Sequence, residues 1–222
     1  MEFQPVTFIR KNSSRLANKS FLDLDGKPLC YYTTKVMSDL YNEGHTNRPI
    51  LYSSKDYYSS LDSFEKLDYI FHKRDKSLDG PVNFNDLMAS FLSDKNIKIE
   101  SEYIVFFCAT SPFMKKETII EMINKIKTGQ YDSSFTGIPI RNFCWYEGKT
   151  LNYDLNKEIP WTQKLTPVVQ EVSSLYIFKN NLFEETGRRI GYKPYIKLID
   201  PIEGHDIDYG HEYVLAKKMM EE

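Results

Sequence analysis

An α/β fold, a mostly parallel sheet with helices on both faces, is predicted by three features of the 222-residue sequence. Short apolar runs alternate with helical patterns along the chain, as strand–helix–strand units require. The most apolar run, Tyr103-Ile104-Val105-Phe106-Phe107-Cys108, lacks polar alternation and reads as a central strand covered on both sides. Phe84, Leu87, Met88, Phe91 and Leu92 recur at helical spacing and supply one covering helix.

In chain order, 6–9 reads as the first strand, buried on both faces, and leads straight into a polar, basic loop. Residues 28–40 read as a helix with Pro28 in its first turn, where a missing N–H costs nothing. Residues 50–53 form a second short strand and 68–71 a third, weaker one. The amphipathic helix that follows is entered through Pro81, with Asn83 as its cap. After the central strand, Ala109-Thr110-Ser111-Pro112 breaks the chain before a helix that carries Ile119, Ile120, Ile123 and Ile126. Residues 133–138 are the next strand. The segment 141–170, rich in Tyr, Trp, Asn and Pro, reads as an arm with a hairpin turn at Glu147-Gly148. Residues 175–178 resume the sheet, 195–199 add a last strand, and a helix from about Tyr209 closes the chain.

The length fits one domain, 1–222, with the arm inserted in it. A net charge of −2 argues against general nucleic-acid binding. Three widely spaced cysteines, Cys30, Cys108 and Cys144, fit neither a disulfide framework nor a structural zinc site and read as reduced thiols. With no secretory leader and no stretch of membrane-spanning length, the expected location is the cytoplasm, without a membrane partner.

Three constellations could carry chemistry. The loop after the first strand holds Arg10, Lys11, Arg15 and Lys19 around Asn12, Ser13 and Ser14. A strand that ends in such a loop before a helix suits phosphates: Arg10 and Lys19 supply charge, and Ser13 and Ser14 supply N–H groups. Without glycine or a Walker pattern, the loop alone reads rather as a solvated surface turn. In Asp206-Ile207-Asp208 the carboxylates at i and i+2 share one face of an extended segment and would suit Mg²⁺. The alternative is that Asp208 caps the last helix. Glu171, with Gln163 and Gln170, could hydrogen-bond a sugar hydroxyl, or could simply be a surface carboxylate. His72, His205 and His211 have no ligand spacing.

Taken in order, five pieces resemble the acylneuraminate cytidylyltransferase (CMP-sialic acid synthetase) family over nearly the whole chain. Residues 8–20 resemble its nucleotide loop, A-R-x-x-S-K-x-L-P-x-K-N, and Gly26-Lys27-Pro28-Leu29 matches the G-K-P-L that follows. Ala109-Thr110-Ser111-Pro112-Phe113 resembles P-T-S-P-L. Thr162-Gln163-Lys164-Leu165-Thr166-Pro167, with Glu171 and Tyr176-Ile177-Phe178, resembles T-Q-x-L-x-P…E…Y-I-F. Glu203-Gly204-His205-Asp206-Ile207-Asp208 resembles the E-G-x-D-I-D metal motif.

The resemblance implies a Rossmann-like three-layer nucleotidyltransferase fold with a small dimerisation arm, and a homodimer. It implies a reaction in which the hydroxyl of an acidic or otherwise polar sugar attacks the α-phosphorus of CTP, giving a CMP-sugar for a surface glycan (capsule or lipopolysaccharide) and pyrophosphate. Arg10, Lys19 and Asp208 would be catalytic. Arg10, Ser13, Ser14, Arg15, Lys19, Lys73, Cys108 and Thr110 would bind the nucleotide. Gln163, Gln170 and Glu171 would bind the sugar, and Asp206 and Asp208 would hold Mg²⁺. Departures fall on the nucleotide side. Ser14 stands where Lys is usual, Ala17 replaces a Pro, Ser20 an Asn and Cys108 a Gln; Val172-Ser173-Ser174 replaces an N-G-A type sequence; and Lys73-Arg74 only echoes the family's R-P segment. Alternatives are a related nucleotidyltransferase with another nucleotide or acceptor, or an inactive nucleotide-binding scaffold. A glycosyltransferase using D-x-D is disfavoured, because that motif lies mid-chain there and near the C-terminal end here.

Overall fold

The computed structural model describes residues 2–10, 13, 15–56, 61–80 and 82–221. In chain order the elements are Phe3–Phe8 (β1), Asp23–Leu24 (β2), Lys27–Pro28 (β3), Leu29–Asn42 (α1), Ile50–Ser53 (β4), Ile70–Lys73 (β5), Phe84–Ser93 (α2) and Tyr103–Phe107 (β6). They continue with Lys116–Lys127 (α3), Ser133–Ile140 (β7), Trp145–Tyr146 (β8), Lys149–Thr150 (β9), Val168–Lys179 (β10), Asn180–Thr186 (α4), Pro194–Leu198 (β11) and Gly210–Glu221 (α5). The central sheet has seven strands in the order β11-β7-β10-β6-β1-β4-β5. All pairings are parallel except those of β10, which runs antiparallel to both β6 and β7.

Strand alternation builds the three layers. Val105 and Phe107 of β6 pack on one face with Met37 and Leu40 of α1 and with Ile119, Ile123 and Ile126 of α3. Ile104 and Phe106 point to the other face, against Met88 and Phe91 of α2 and Phe183 of α4. A strand buried this way has no polar side to alternate with, which is why its sequence is a continuous apolar run. A third, smaller core joins Leu24, Leu29, Ile207 and Ala216, and so ties the C-terminal segment and α5 to the β2–β3 hairpin.

Asn83 caps α2 as expected, its side chain accepting the Asp86 N–H at 2.9 Å; the expected entry residue Pro81 lies outside the described residues. The sequence placed Pro28 inside a helix. Instead it is extended, at φ −66° and ψ 144°, and pairs with Asp23 across a hairpin whose turn residues Asp25 and Gly26 both have positive φ. Helix α1 therefore starts at Leu29. The expected third strand 68–71 is shifted to Ile70–Lys73, where its N–H and C=O groups find β4. The arm is shorter than expected. Its hairpin at Glu147-Gly148 is present as β8 and β9, but Gln170 and Glu171 already belong to β10, paired with Ile138 and Gly137 of β7. Strand β10 is continuous from Val168, with a register shift between Val172 and Tyr176.

Ile177 lies in mid-sheet with no exposed surface. Replacing Ile177 by Ala should cost about 2–5 kcal/mol of stability, from lost transfer energy plus the cavity left behind. Urea denaturation of the two proteins measures it, and an unchanged midpoint would show that this face of the sheet is not the packed core.

Candidate active site

The carboxyl ends of β1 and β6 open into a cleft of about 550 Å³, within the usual range for small-molecule sites. In open sheets with helices on both faces, ligands bind at this edge. The Ile9 N–H donates to the Tyr52 carbonyl at 3.1 Å, and Ile9 itself is fully buried. The chain thus leaves the sheet at a fixed point, and Arg10, Ser13, Arg15 and Lys19 line the cleft. The adjoining lobe shares Arg10, Arg15 and Lys19 and adds Asp206 and Asp208 from the other end of the chain.

Burial of Ile207 explains how the acids arrive there. Its side chain is fully enclosed in the small third core, and its N–H donates to the Thr110 carbonyl at 3.1 Å. With the middle residue turned inward, the carboxylates on either side both reach the cleft. Asp206 Oδ1 accepts the Thr110 hydroxyl at 2.5 Å and the Ser111 hydroxyl at 3.2 Å. Asp208 is gripped by two cations: Oδ1 lies 2.6 Å from Lys19 Nζ and Oδ2 lies 2.5 Å from Arg15 Nη1. Upstream, the buried Glu203 accepts the Lys115 N–H at 3.2 Å and pins the segment to the start of α3. Gly204 is required by close approach, since a Cβ there would lie 2.9 Å from Ile138 Cδ1.

The capping alternative for Asp208 goes to another residue. Glu212 Oε2 accepts the N–H groups of Asp208 and Tyr209, at 2.7 and 2.8 Å. This acidic residue in the first turn of α5 reaches back as in a capping box, leaving the Asp208 side chain to the cleft. A Glu three residues after Tyr209, where the last helix was expected to begin, was the signal available for it.

Arg10 donates from Nη1 to the Val82 carbonyl at 3.1 Å. Burial, and then the charges of Arg74 and Arg15, push its guanidinium pKa below the usual arginine range. Crowded cations of this kind favour an anion. Lys73 is exposed and does not line the cleft. Its neighbour Arg74 is fully buried instead, bonded through Nη2 to Asp79 Oδ1 at 2.6 Å, and Asp79 lines the cleft. A strand alternates its faces, so a shift of one residue exchanges the inward and outward side chains.

Cys108 and Thr110 both line the cleft. The Cys108 sulfur lies 3.1 Å from Thr110 Oγ1 and 3.8 Å from Asp206 Oδ1. Burial, and then the Asp206 carboxylate, push the thiol up to about 11. Ser14, with Lys11 and Asn12, lies outside the described residues. Gln163 sits on an exposed 3₁₀ turn of the excursion between β7 and β10, and Gln170 is exposed on β10; neither lines the cleft. Glu171 accepts the Tyr176 hydroxyl at 2.5 Å and lies 3.7 Å from Arg189. Sequence reasoning passed over Arg189 and met Ser173 only within a departure from the family pattern; both line the lobe that holds the two aspartates. Ser173 arrives through the irregularity in β10, which no local pattern announces.

A family model described as cytidylyltransferase matches residues 9–197. The chain belongs to the cytidylyltransferase family. Solved structures support the fold. One is a CMP:2-keto-3-deoxy-manno-octonic acid synthetase complexed with CTP, with a TM-score of 0.67 at 12% identity, covering 100% of this chain and 99% of that one. Another is the 4-diphosphocytidyl-2C-methyl-D-erythritol synthase from Anaerococcus prevotii, with a TM-score of 0.66 at 13% identity over 99% and 98% of the two chains. The bifunctional IspDF from Campylobacter jejuni gives 0.62 at 16% identity, covering 96% of this chain and 53% of that one. No curated protein sequence matches the chain. No described helix of the cytidylyltransferase is long and apolar enough to cross a membrane.

The raised thiol has a chemical consequence, because only the thiolate is nucleophilic. With its pKa pushed up to about 11, Cys108 should remain unalkylated after brief exposure of the native protein to iodoacetamide at pH 8. Peptide mass spectrometry reads the outcome; labelling of Cys108 at the rate of an unperturbed thiol would contradict the half-buried, acid-flanked environment.

Proposed function

We propose that the cleft transfers CMP from CTP to a sugar acid of the sialic-acid type, releasing pyrophosphate, as the activation step for a surface glycan. The observation that carries this reading is the meeting of Lys19 and Arg15 with Asp208 in one cavity that also holds Arg10 and Asp206. Phosphates and their counter-ion need both kinds of charge at one place, and the two come from opposite ends of the chain.

Mg²⁺ is the metal this reading calls for, and the donor set fits it. Two carboxylates on one extended segment offer hard oxygens, and Asp206 Oδ2 makes no hydrogen bond among the described residues. Asp208 is already balanced by positive charge, so its place suits a cation. Asp206 and Asp208 would hold the ion, which when bound polarises phosphate oxygens and neutralises the charge that develops on them. Arg15 and Lys19 would exchange Asp208 for the triphosphate while Asp208 takes the metal ion, so that neither the cations nor the carboxylate is left unpaired. Lys19 then follows the departing pyrophosphate, while Arg10, short of carboxylate partners, neutralises the attacked phosphoryl group. Thr110 and Ser111 hold the Asp206 carboxylate in one rotamer through their hydroxyls. In-line displacement of this type depends on positioning and charge rather than on a covalent intermediate.

Exposed apolar side chains on the 141–167 excursion, among them Trp145, Leu155, Ile159 and Trp161, favour the arm as the contact between two copies. Static light scattering should give about twice the chain mass of 26.1 kDa, whereas a monomer at micromolar concentration would leave the arm without this role.

Pyrophosphate release from CTP should require both Mg²⁺ and a sugar acid, read with a coupled assay over a panel of sialic, legionaminic, pseudaminic and octulosonic acids. Asp208→Asn should lower turnover by roughly 100-fold or more while the melting temperature stays within a few degrees, because it removes one of the two carboxylates that would hold the metal ion against the phosphate. Wild-type turnover in a folded Asp208→Asn protein would take this residue out of the reaction.

A further inference from the structure

Arg189 stands in the cleft without a task in the reaction just described. It comes from the connection after α4, far in sequence from the nucleotide loop, and lines the same lobe as Asp206, Asp208 and Ser173. Its guanidinium carbon lies 4.0 Å from the Tyr176 ring centroid and 4.7 Å from that of Phe84. Two aromatic contacts fix the plane of the group and leave its in-plane N–H edges available. Among the described residues those N–H groups make no hydrogen bond, and their ion pair with Glu171 is long, at 3.7 Å.

The other cations of the cleft are differently placed. Arg15 and Lys19 hold Asp208, Arg74 holds Asp79, and Arg10 donates to a carbonyl. Glu171 Oε1 is shared: it accepts the Tyr176 hydroxyl at 2.5 Å and lies 3.7 Å from the Arg189 guanidinium. The same tyrosine therefore stacks under the arginine and restrains its counter-ion. A guanidinium held flat, half-neutralised and facing a cavity is a preorganised fork for a two-oxygen anion.

We propose that Arg189 binds an anionic group, carboxylate or phosphate, carried by the acceptor, and that Tyr176 and Glu171 position it. The proposal rests on reading the cleft as a site of cytidylyl transfer, and it restricts the acceptor to a charged sugar. It also moves Glu171 from reading a sugar hydroxyl to restraining the residue that reads the charge. Neutral sugars of the same shape should be poor substrates, since they leave the stacked cation with only its long pair to Glu171.

Steady-state kinetics at saturating CTP tests this. The acceptor panel holds sugar acids with their methyl esters, and sugar phosphates with the parent sugars. Arg189→Met keeps an apolar stem against Tyr176 and Phe84 while removing the fork. It should raise the KM for the anionic acceptor about 10–100-fold, the loss expected for a charge-assisted hydrogen-bonded pair, and leave the KM for CTP within about threefold. Arg189→Lys should recover part of the loss. Glu171→Gln keeps an acceptor for the Tyr176 hydroxyl but removes the competing charge, and should lower the KM for the anionic acceptor. Whichever anion shows the dependence on Arg189, carboxylate or phosphate, is the acceptor's group. Equal use of acid and methyl ester by the wild type, or an unchanged acceptor KM in Arg189→Met, overturns the proposal. Equal weakening of CTP and acceptor, with a lower melting temperature, would assign Arg189 to structure and overturn it as well. If wild-type protein binds CTP but turns over no acceptor, the cytidylyl-transfer reading itself fails, which is a different result from these.

Discussion

Ile207 is apolar between two aspartates, and its burial sets the chemistry of the cleft. Enclosed by Leu24, Leu29 and Ala216, it forces its neighbours outward on the same side. The Ile207 N–H bond to the Thr110 carbonyl fixes the segment against the end of β6. An apolar anchor works here because it is indifferent to ligand charge: cations and carboxylates can change partners around it while the backbone stays put.

Charge is the second constraint. The free cleft stores its cations on its own acids, with Asp208 shared by Arg15 and Lys19 and Asp79 paired with Arg74. Unpaired buried charges are costly, and each of these cations has a carboxylate partner within the cleft. Arg10 and Arg189 are exceptions, one bonded to a carbonyl and the other stacked between rings. A cation left short of partners in a cavity is where a ligand's charge gains most.

The antiparallel strand β10 has a part in the wall of the cleft. Its upper half supplies Leu175 and Ile177 to one core layer and Tyr176 and Phe178 to the other. Its irregularity after Val172 breaks the alternation and brings Ser173 to the cavity wall. One strand thus serves as central core and as site wall, and the break marks the change.

Much of this was legible in one dimension. The continuous apolar run at β6, the helical spacing of α2 and the Asn83 cap are consequences of local periodicity and local hydrogen bonding, which sequence records directly. The loop cations and the D-x-D acids were visible as residue types, and motif order led to the cytidylyltransferase family. Tertiary structure alone decided which cations meet which acids. Lys19 and Asp208 are 189 positions apart, and only the sheet order and the third core bring them together. It also decided that Arg74 faces inward and Lys73 outward, that Glu212 rather than Asp208 caps the last helix, and that Arg189 enters the cleft. Each of these depends on register or on contacts between distant elements, and neither composition nor spacing encodes which face a side chain finds until the strands have paired.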